Sequence, residues 1–523
     1  MNKKLVCAVP IVATAAFGLY ACGGDDHHDS SDISSVKNVV VIYAENRSFD
    51  NLYGHFPGAN GLQNVTAASA QQLDRDGSVL PTLPTIWTGL TATGVTPAIT
   101  AAMTTNLPNA PFAIDDPKGF NIQLNVTTRD LYHRFYENQM QIDGGKNDKF
   151  AAWGDSGALV MGHYDTPPDK LPLYKIAQQY TLADNFFMGA FGGSFLNHQW
   201  LVCACTPIYP NADKSVASGS ISAVNADGVS LKLKTNPPPS ALTGSADAQF
   251  VNSGTLTPDF YAVNTMQPPY QPSGNPAPAG VDPALGDATK ANTLPPQTQQ
   301  HIGDLLNSAG VSWAWYGGSW AAALANRSVI NGAVNVVPDF QTHHQPFNYF
   351  ADLAPGTANR AQHLLDGGTN GSEFIKAIDA GTLPQVAFYK PQGNLNEHAG
   401  YTDVAQGDQH IADLISHLQK SPQWKNMVVV VTYDENGGFW DHVAPPKGDR
   451  WGPGTRIPAL IISPYAKKGF VDHTQYDTTS ILRFITKRFN LPTLPGLASR
   501  DAALVANGAP KMGDLTNALD FSQ

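Results

Sequence analysis

Two apolar runs that end in acidic and amide side chains constrain the fold of this chain more than any other feature of its sequence. Val428–Val431 are consecutive valines and are followed by Asp434–Glu435, and the run Val39–Tyr43 is followed by Glu45–Asn46. An unbroken β-branched run is typical of a strand covered on both faces, as in a parallel sheet. Because open α/β sheets bind ligands at the carboxyl ends of their strands, these side chains are candidate ligands.

Adjacent carboxylates at such a partly shielded edge repel each other. Leaving Asp434 and Glu435 charged and unpaired would be costly, because a buried charge loses its hydration. We therefore expect a positive group beside them.

Further strand and helix patterns alternate along the chain. Strands are predicted at Val386–Tyr389, Ile457–Ile462 and Ser312–Tyr316. Residues 408–421 and 477–489 carry apolar side chains at the i, i+3, i+4, i+7 spacing of a helix with one buried face. The alternation predicts an α/β fold with a doubly wound, mostly parallel sheet flanked by helices.

Residues 206–298 differ from the rest of the chain, being rich in Pro, Gly, Ser and Ala with weak periodicity. They are predicted to form an irregular insertion that caps the site, within a single domain of residues 37–523.

The first 21 residues have a short basic start and an apolar run too short to cross a membrane comfortably, which predicts a signal peptide. Leu19–Cys22 resembles a bacterial lipobox, so lipidation of Cys22 and simple cleavage both remain open. Residues 22–36 are expected to be a flexible tether in which His27 and His28 are solvated. An exported protein is predicted, either periplasmic, attached to the outer membrane by a lipid anchor on Cys22, or secreted.

Charge and cysteine content narrow the function classes. The chain has 43 acidic and 32 basic residues and a formal charge of −11, which argues against a nucleic-acid partner. Cys203 and Cys205 are expected to be small buried thiols, because a disulfide between residues two apart is geometrically awkward. No zinc-ligand spacing is present.

Ser194 follows two glycines and precedes the apolar segment Phe195–Ala204, which is long enough for a buried helix. Free N–H groups at a helix start form an anion pocket, so Ser194 is either an N-cap or a nucleophile beside such a pocket. The G-x-S-x-G pattern of acyl hydrolases is absent, because Leu196 stands where its second glycine belongs. Histidines in predicted loops join this candidate set: His133, His343, His344 and His398.

The motifs ENRSFDNLYG, HRFYENQMQIDGG, GGSFLNH, NEH and TYDENGGFWDH occur in this order along the chain. In this respect the chain resembles the bacterial phosphoesterase family that joins phospholipases C with secreted acid phosphatases. The resemblance implies an alkaline-phosphatase-like core with a metal ion at the carboxyl edge of the sheet. It implies metal ligands at Glu45, Asn46, Ser194, Asp434 and Glu435. It also implies that Asn197, His133, His344 and His398 surround the phosphate, with His343 at a neighbouring position.

Ligands of this kind suit one hard divalent cation such as Mg²⁺, Ca²⁺ or Mn²⁺ better than zinc. Such an ion would compensate the acids and activate Ser194 for attack on phosphorus, giving a phosphoserine that water hydrolyses. His398 or His344 would protonate the leaving group. A requirement for cationic histidine would make the rate fall above about pH 6.5, as in an acid phosphatase acting on small phosphate esters.

Two alternatives remain. A phospholipase C acting on phospholipid would need an aromatic cage for choline, which several tryptophans could supply in principle: Trp153, Trp315, Trp320, Trp440 and Trp451. Haemolytic phospholipases of the family often carry threonine at the nucleophile position, so Ser194 favours the phosphatase branch. The chain could also be a non-catalytic surface binding lipoprotein in which the metal is structural.

Overall fold

The structure is a computed structural model that describes residues 33–165, 170–246, 249–332, 334 and 336–522. The predicted signal peptide of residues 1–21, the candidate lipidation site Cys22 and the tether histidines lie outside the described residues. Among the helices that are described, none is both long and apolar enough to cross a membrane.

An eight-stranded sheet forms the centre of the molecule, in the order β11-β4-β10-β9-β1-β8-β6-β7. The strands are β1 (Asn38–Ala44), β2 (Phe112–Ala113), β3 (Gly162–His163), β4 (Thr181–Ala183), β5 (Phe186–Phe187), β6 (Trp313–Gly318), β7 (Leu364–Gly368), β8 (Val386–Lys390), β9 (Met427–Tyr433), β10 (Ala459–Ile462), β11 (Phe470–Asp472) and β12 (Tyr476–Asp477).

Most neighbouring strands of the sheet run parallel. β1 lies between β8 and β9 and is parallel to both, and β6 is parallel to β7 and β8. β10 is the exception, because it pairs antiparallel with both β9 and β4. The described chain from β9 to β10 contains no α-helix, and a parallel return would need a longer crossover, usually helical.

The helices flank this sheet. They are α1 (Phe49–Tyr53), α2 (Ala67–Ala70), α3 (Phe135–Ile142), α4 (Phe150–Trp153), α5 (Pro172–Gln179), α6 (Ser194–Cys203), α7 (Ile302–Ser308), α8 (Trp320–Ala325), α9 (Ala358–His363), α10 (Ser372–Asp379), α11 (Val404–Lys420), α12 (Thr479–Arg488) and α13 (Pro495–Ala506). α11 packs with α5 and α10, and α6 packs with α12.

The predicted α/β class with a mostly parallel, helix-flanked sheet is confirmed. Every residue of β1 and β9 is buried, as their unbroken β-branched runs predict. The two predicted amphipathic helices correspond to α11 and α12, whose apolar faces are buried. The core therefore centres on the strands that carry the candidate ligands.

The segment 206–298 remains a predicted insertion. Its described part contains short 3₁₀ turns, such as Ala212–Lys214 and Ser218–Ser220, and isolated bridges such as that between Tyr270 and Leu285. Its polar and Pro-rich sequence lacks the periodicity that would pair a long strand or bury one helix face.

The expectation of free thiols at Cys203 and Cys205 is wrong, because the two residues form a disulfide. α6 ends at Cys203, and Ala204 adopts a left-handed conformation with φ of 47°. This turn brings the two Cα atoms to 5.0 Å, within the range that a disulfide spans.

Candidate active site

The parallel pairing of β1 and β9 brings the two acid-tipped strand ends together. Ala44 is the register partner of Tyr433, so Glu45–Asn46 and Asp434–Glu435 leave the sheet side by side. The backbone N–H groups of Asn46 and Glu435 both donate to Asp434 Oδ1, at 3.0 and 2.8 Å. All four side chains are fully buried.

Four oxygen atoms converge at this edge, and we refer to them as the oxygen cluster: Glu45 Oε2, Asn46 Oδ1, Ser194 Oγ and Glu435 Oε1. Ser194 Oγ lies 3.0 Å from the Glu45 oxygen, 3.5 Å from the Asn46 oxygen and 3.4 Å from the Glu435 oxygen. The Asn46 oxygen lies 3.0 and 2.9 Å from the Glu45 and Glu435 oxygens. Such separations match those between neighbouring oxygen ligands held about 2.0–2.6 Å from one cation.

The orientation of Asn46 tests whether a cation fits here. Its oxygen faces carboxylate oxygens, while its amide nitrogen lies 3.0 Å from His398 Nε2. His398 Nδ1 contacts the carbonyl of Ala399 and so carries a proton, which makes Nε2 the acceptor of a neutral ring. With Asn46 donating to Nε2, its oxygen faces the carboxylates, an arrangement that a cation would stabilise. Without a cation, the opposite amide orientation lets the Asn46 nitrogen donate to Glu45 Oε2 and Glu435 Oε1.

The predicted ligand Asp434 has a different environment. Its Oδ1 atom is occupied by the two backbone N–H groups, and its Oδ2 atom finds no hydrogen-bond donor among the described residues. Glu45, Asn46, Ser194 and Glu435 are therefore the side chains that could hold a metal ion at the oxygen cluster, and their oxygen atoms are ligands that hard divalent cations prefer.

Lys390 supplies a positive charge that the sequence analysis did not identify. It is the last residue of β8, beside β1, and its Nζ contacts Glu45 Oε1 and donates to the carbonyl of Tyr43 at 2.9 Å. The side chain is buried. A lysine that ends a buried strand, as the acids end theirs, is the sequence signal that would have identified it.

The carboxyl groups remain short of positive charge even with this lysine. Burial and the neighbouring Asp434 carboxylate raise the pKa of Glu45 well above its ordinary value, while Lys390 opposes the shift. Burial and Asp434 also raise the pKa of Glu435 well above its ordinary value. A divalent cation at the oxygen cluster would reverse both shifts, because it stabilises the ionised carboxylates.

Ser194 is the first residue of α6 and not its N-cap, which is Gly193. Its hydroxyl, which is part of the oxygen cluster, donates to Glu45 Oε2. The described residues offer no acceptor for the backbone N–H groups of Ser194, Phe195 and Leu196. The helix start therefore presents unpaired donors and the positive end of a helix dipole to an anion beside the hydroxyl.

Asn197 holds the loop that precedes α6. Its amide nitrogen donates to the carbonyls of Ala190 and Gly193 at 3.1 and 3.2 Å, and its oxygen accepts from Ala190 N at 2.9 Å. Both the nitrogen and the oxygen of the Asn197 amide form hydrogen bonds with the backbone. In this structure the amide is therefore not directed to the phosphate contact that the resemblance implies. Its position gives it a role in orienting Ser194.

His133 and His398 approach the oxygen cluster from the loops in which the sequence places them. His133 Nδ1 donates to Leu131 O at 2.6 Å, which leaves Nε2 3.7 Å from Glu435 Oε1. The two imidazole rings are 5.7 Å apart, and His398 stacks on Tyr401 at 4.2 Å. Both rings thus have Nδ1 fixed by a backbone carbonyl and Nε2 directed into the site.

His344 lies beside Glu45, and His343 lies beside His344. His344 Nε2 is 3.1 Å from Glu45 Oε1, and the His343 ring centre is 4.5 Å from that of His344. His198 stacks on His344 at 5.0 Å and was not identified from the sequence. It lies one helical turn after Ser194 and donates from Nδ1 to Ser194 O at 2.7 Å, so its i, i+4 spacing was the available signal.

These imidazoles are held neutral by their surroundings. Burial, followed by the charge of Lys390, lowers the pKa of His198 and His344 well below the ordinary value and lowers that of His343 to about 3. Burial and the neighbouring His133 lower the pKa of His398. The expectation that cationic histidine binds the phosphate therefore has no support from these four side chains in the free site.

A cavity of about 390 Å³ opens beside His133 and Gly193. Residues 253–255 and 263–265, from the predicted insertion, form part of its wall. Asp130 and Arg134 also line the cavity and add charged groups. The insertion therefore forms part of the wall of this cavity and contributes polar groups to it, while its role as a cap over the site stays a prediction.

The tryptophans considered for a choline cage do not surround this cavity. Four of them are buried in the protein core: Trp153, Trp315, Trp320 and Trp440. Trp451 packs on Phe135 and Tyr261. Tyr132 does line the cavity, but the Arg134 guanidinium lies 3.9 Å from its ring centre.

Gly437 should be required for the position of Asn46. Its φ is +61°, and a Cβ atom there would lie 2.4 Å from Asn46 O and 2.8 Å from Asn46 Cβ. We expect Gly437→Ala to displace the Asn46 ligand and weaken divalent-cation affinity by about tenfold or more, as measured by calorimetric titration. Gly144→Ala is the control, because Gly144 has a similar φ of +68° with open space around it. Equal affinity in the Gly437 variant and the wild type would contradict the prediction.

Removing Lys390 should destabilise the protein strongly. In chelator-treated protein, Lys390→Met leaves Glu45 buried beside the other acids without its cationic partner, which is expected to cost about 3–5 kcal/mol. Lys376→Met is the matched control, since its ion pair with Glu373 is exposed and should contribute less than about 1 kcal/mol. Urea unfolding measures both variants, and equal losses would show that Lys390 does not stabilise Glu45.

Comparisons with known proteins agree with the family resemblance of the sequence motifs. The Phosphoesterase family profile matches residues 36–492. Phospholipase C B of Mycobacterium tuberculosis is 24% identical over 98% of this chain and 82% of its own length. The non-hemolytic phospholipase C of Burkholderia pseudomallei is 29% identical over 43% of this chain and 33% of its own length.

Solved structures also match at low similarity. One is a protein in the alkaline phosphatase superfamily from Vibrio parahaemolyticus, 12% identical, with 66% of this chain and 65% of that chain covered and a TM-score of 0.31. The lipoteichoic acid synthase LtaP from Listeria monocytogenes is 10% identical, with 74% of each chain covered and a TM-score of 0.30. Because the family profile extends over most of the sequence, this chain belongs to the phosphoesterase family and is a phosphoric ester hydrolase.

Proposed function

We propose that this protein is a metal-dependent phosphatase that hydrolyses small phosphate monoesters through a phosphoserine on Ser194. One observation carries the proposal: the Ser194 hydroxyl lies within the oxygen cluster, at the start of a helix whose first N–H groups have no acceptor among the described residues. This arrangement supports attack on a phosphoryl group, whose oxygens would accept those N–H donors.

In the first step, Ser194 Oγ forms a bond to phosphorus while the bond from phosphorus to the alcohol oxygen breaks. The hydroxyl proton passes to Glu45 Oε2, the acceptor 3.0 Å away. The alcohol oxygen leaves with a proton from a histidine. His133, which borders the cavity, is the candidate donor, because the other histidines beside the oxygen cluster are held neutral. In the second step a water oxygen forms a bond to phosphorus and gives a proton back to the histidine, while the bond from phosphorus to Ser194 Oγ breaks. Ser194 Oγ recovers its proton from Glu45, and inorganic phosphate is released.

A divalent cation bound by Glu45, Asn46, Ser194 and Glu435 would withdraw charge from a phosphoryl oxygen and favour ionised Ser194. The chain itself orients the nucleophile, since Asn197 braces the preceding loop and His198 binds the Ser194 carbonyl. Oriented reactants need less reorganisation to reach the transition state.

The lining of the cavity supports a small polar alcohol group over a phosphatidylcholine headgroup. Ser253, Thr255 and Asn264 contribute polar groups, and the Tyr132 ring is already paired with Arg134. Choline recognition usually uses several open aromatic faces, which the described lining does not offer. Phosphomonoesters are therefore the proposed substrates.

Phospholipase C activity is the second candidate, because the relatives that match most of this chain bear that name. Family membership favours either enzyme over the alternative of a non-catalytic binding lipoprotein. Export, with lipidation of Cys22 or simple cleavage, remains part of the proposal.

Replacing Ser194 tests whether its hydroxyl is the nucleophile. Ser194→Ala should lower kcat for p-nitrophenyl phosphate by at least about 10³-fold, because no other group replaces the attacking oxygen. Ser218→Ala, at a 3₁₀ turn of the insertion, should leave kcat unchanged, and circular dichroism checks that both variants fold.

The same purified protein assayed with phosphatidylcholine discriminates the two substrate classes. Release of phosphocholine with a higher kcat/KM than p-nitrophenol release would favour phospholipase C over the phosphatase. Full activity in Ser194→Ala toward both substrates would exclude the phosphoserine route altogether.

The pH profile tests the acid phosphatase form of the proposal. If a protonated histidine is required, kcat/KM should be highest at acid pH and decline as pH rises past the pKa of that group, ordinarily about 6.5. A maximum on the alkaline side would remove the requirement for cationic histidine while leaving the nucleophile in place.

Narrowing the cavity should affect substrate binding more than chemistry. Thr265 is an exposed residue of the lining, so Thr265→Trp adds bulk to the cavity wall without entering the core. We expect KM for p-nitrophenyl phosphate to rise about tenfold with kcat changed less than about twofold. Thr105→Trp, at an exposed position outside the cavity lining, is the control, and an unchanged KM for Thr265→Trp would argue that the alcohol binds elsewhere.

A further inference from the structure

Three side chains that are distant in sequence meet on the surface outside the active site. His55 Nε2 lies 2.8 Å and His163 Nε2 lies 3.1 Å from the same atom, Asp165 Oδ1. The three potential ligand atoms all lie within 4.8 Å of one another. None of the hydrogen bonds or ion pairs of these side chains involves a residue of the oxygen cluster.

The backbone around each side chain is held by a different part of the fold. The carbonyl of His55, just after α1, accepts from the Tyr174 hydroxyl at 3.2 Å. His163 lies in β3, where its carbonyl accepts from Ile114 N at 2.7 Å. Asp165 N donates to Asp115 Oδ1 at 2.9 Å. The meeting of the three side chains therefore follows from the fold and does not depend on one flexible loop.

The arrangement matches a first coordination shell. The two imidazole rings lie edge to face, with centres 5.5 Å apart and planes at 60°, so both Nε2 atoms can be directed to one point without the rings stacking. The side chains of His55 and Asp165 are 50% and 55% exposed, so an ion and its water ligand can reach them. His163 is mostly shielded and provides the inner wall.

We propose that His55, His163 and Asp165 bind a second divalent metal ion, of the borderline class that includes Zn²⁺. Two imidazole nitrogens and one carboxylate oxygen are ligands that Zn²⁺ takes in tetrahedral sites, with water in the fourth position. The oxygen cluster has no nitrogen among its four atoms and suits hard cations. Among the described residues, the histidine site and the oxygen cluster therefore differ in the class of metal ion that they prefer.

Zinc titration of the full-length protein tests this proposal. All proteins carry His27→Ala and His28→Ala, so that the tether histidines do not contribute. Competition with a chromogenic zinc chelator should reveal a zinc site whose affinity is lowered about 100-fold or more by His163→Ala. The rate of phosphate-ester hydrolysis should be unchanged in this variant. His417→Ala is the matched control, because its exposed pair with Asp379 lies outside the groups that could hold a metal among the described residues.

A second variant separates this site from the oxygen cluster. Glu435→Gln should reduce binding at the oxygen cluster and leave the histidine site intact. With Co²⁺ in place of Zn²⁺, the visible absorption of the histidine-ligated ion should persist in Glu435→Gln and disappear in His163→Ala. Equal zinc affinity in His163→Ala and the control, or loss of the Co²⁺ absorption only in Glu435→Gln, would overturn the proposal.

Discussion

The burial of several carboxylates at the ends of two neighbouring strands is the constraint on which the rest of the structure depends. Glu45 and Glu435 are removed from water, and burial together with Asp434 raises their pKa values. Lys390, on the strand next to β1, offsets part of this cost through Glu45. A cation at the oxygen cluster would offset more of this cost and would stabilise the orientation in which the Asn46 nitrogen donates to His398 Nε2.

The fold assembles the site around this requirement. β1 lies between β8 and β9, so the lysine and the acids come from adjacent strands of one sheet. α6 adds the serine hydroxyl and unpaired N–H groups, and the loop before it is braced by Asn197. The predicted insertion, whose described residues contribute no strand to the sheet, lines the cavity beside His133. The rigid sheet thus holds the charged groups, while less regular parts of the chain shape the surroundings of the substrate.

Strong local patterns were predicted well. The valine runs of β1 and β9 and the apolar spacing of α11 and α12 are visible within a short window, so each element could be assigned without knowing its partners. The antiparallel direction of β10 and the disulfide after α6 were missed. Both depend on how the backbone turns after an element ends, which apolar spacing does not encode.

Residues adjacent to the strand ends could be identified from sequence because their chemistry conflicts with the apolar runs before them. Lys390 and His198 have local signals, a lysine at the end of a buried strand and an i, i+4 spacing from Ser194, whereas the meeting of His55, His163 and Asp165 required the folded chain. Strand order and the placement of distant loops arise from the packing of the whole core, so contacts across these separations have no local signature. Local periodicity therefore specified the elements and the acids at their ends, whereas long-range packing determined which charges and nitrogen ligands became neighbours.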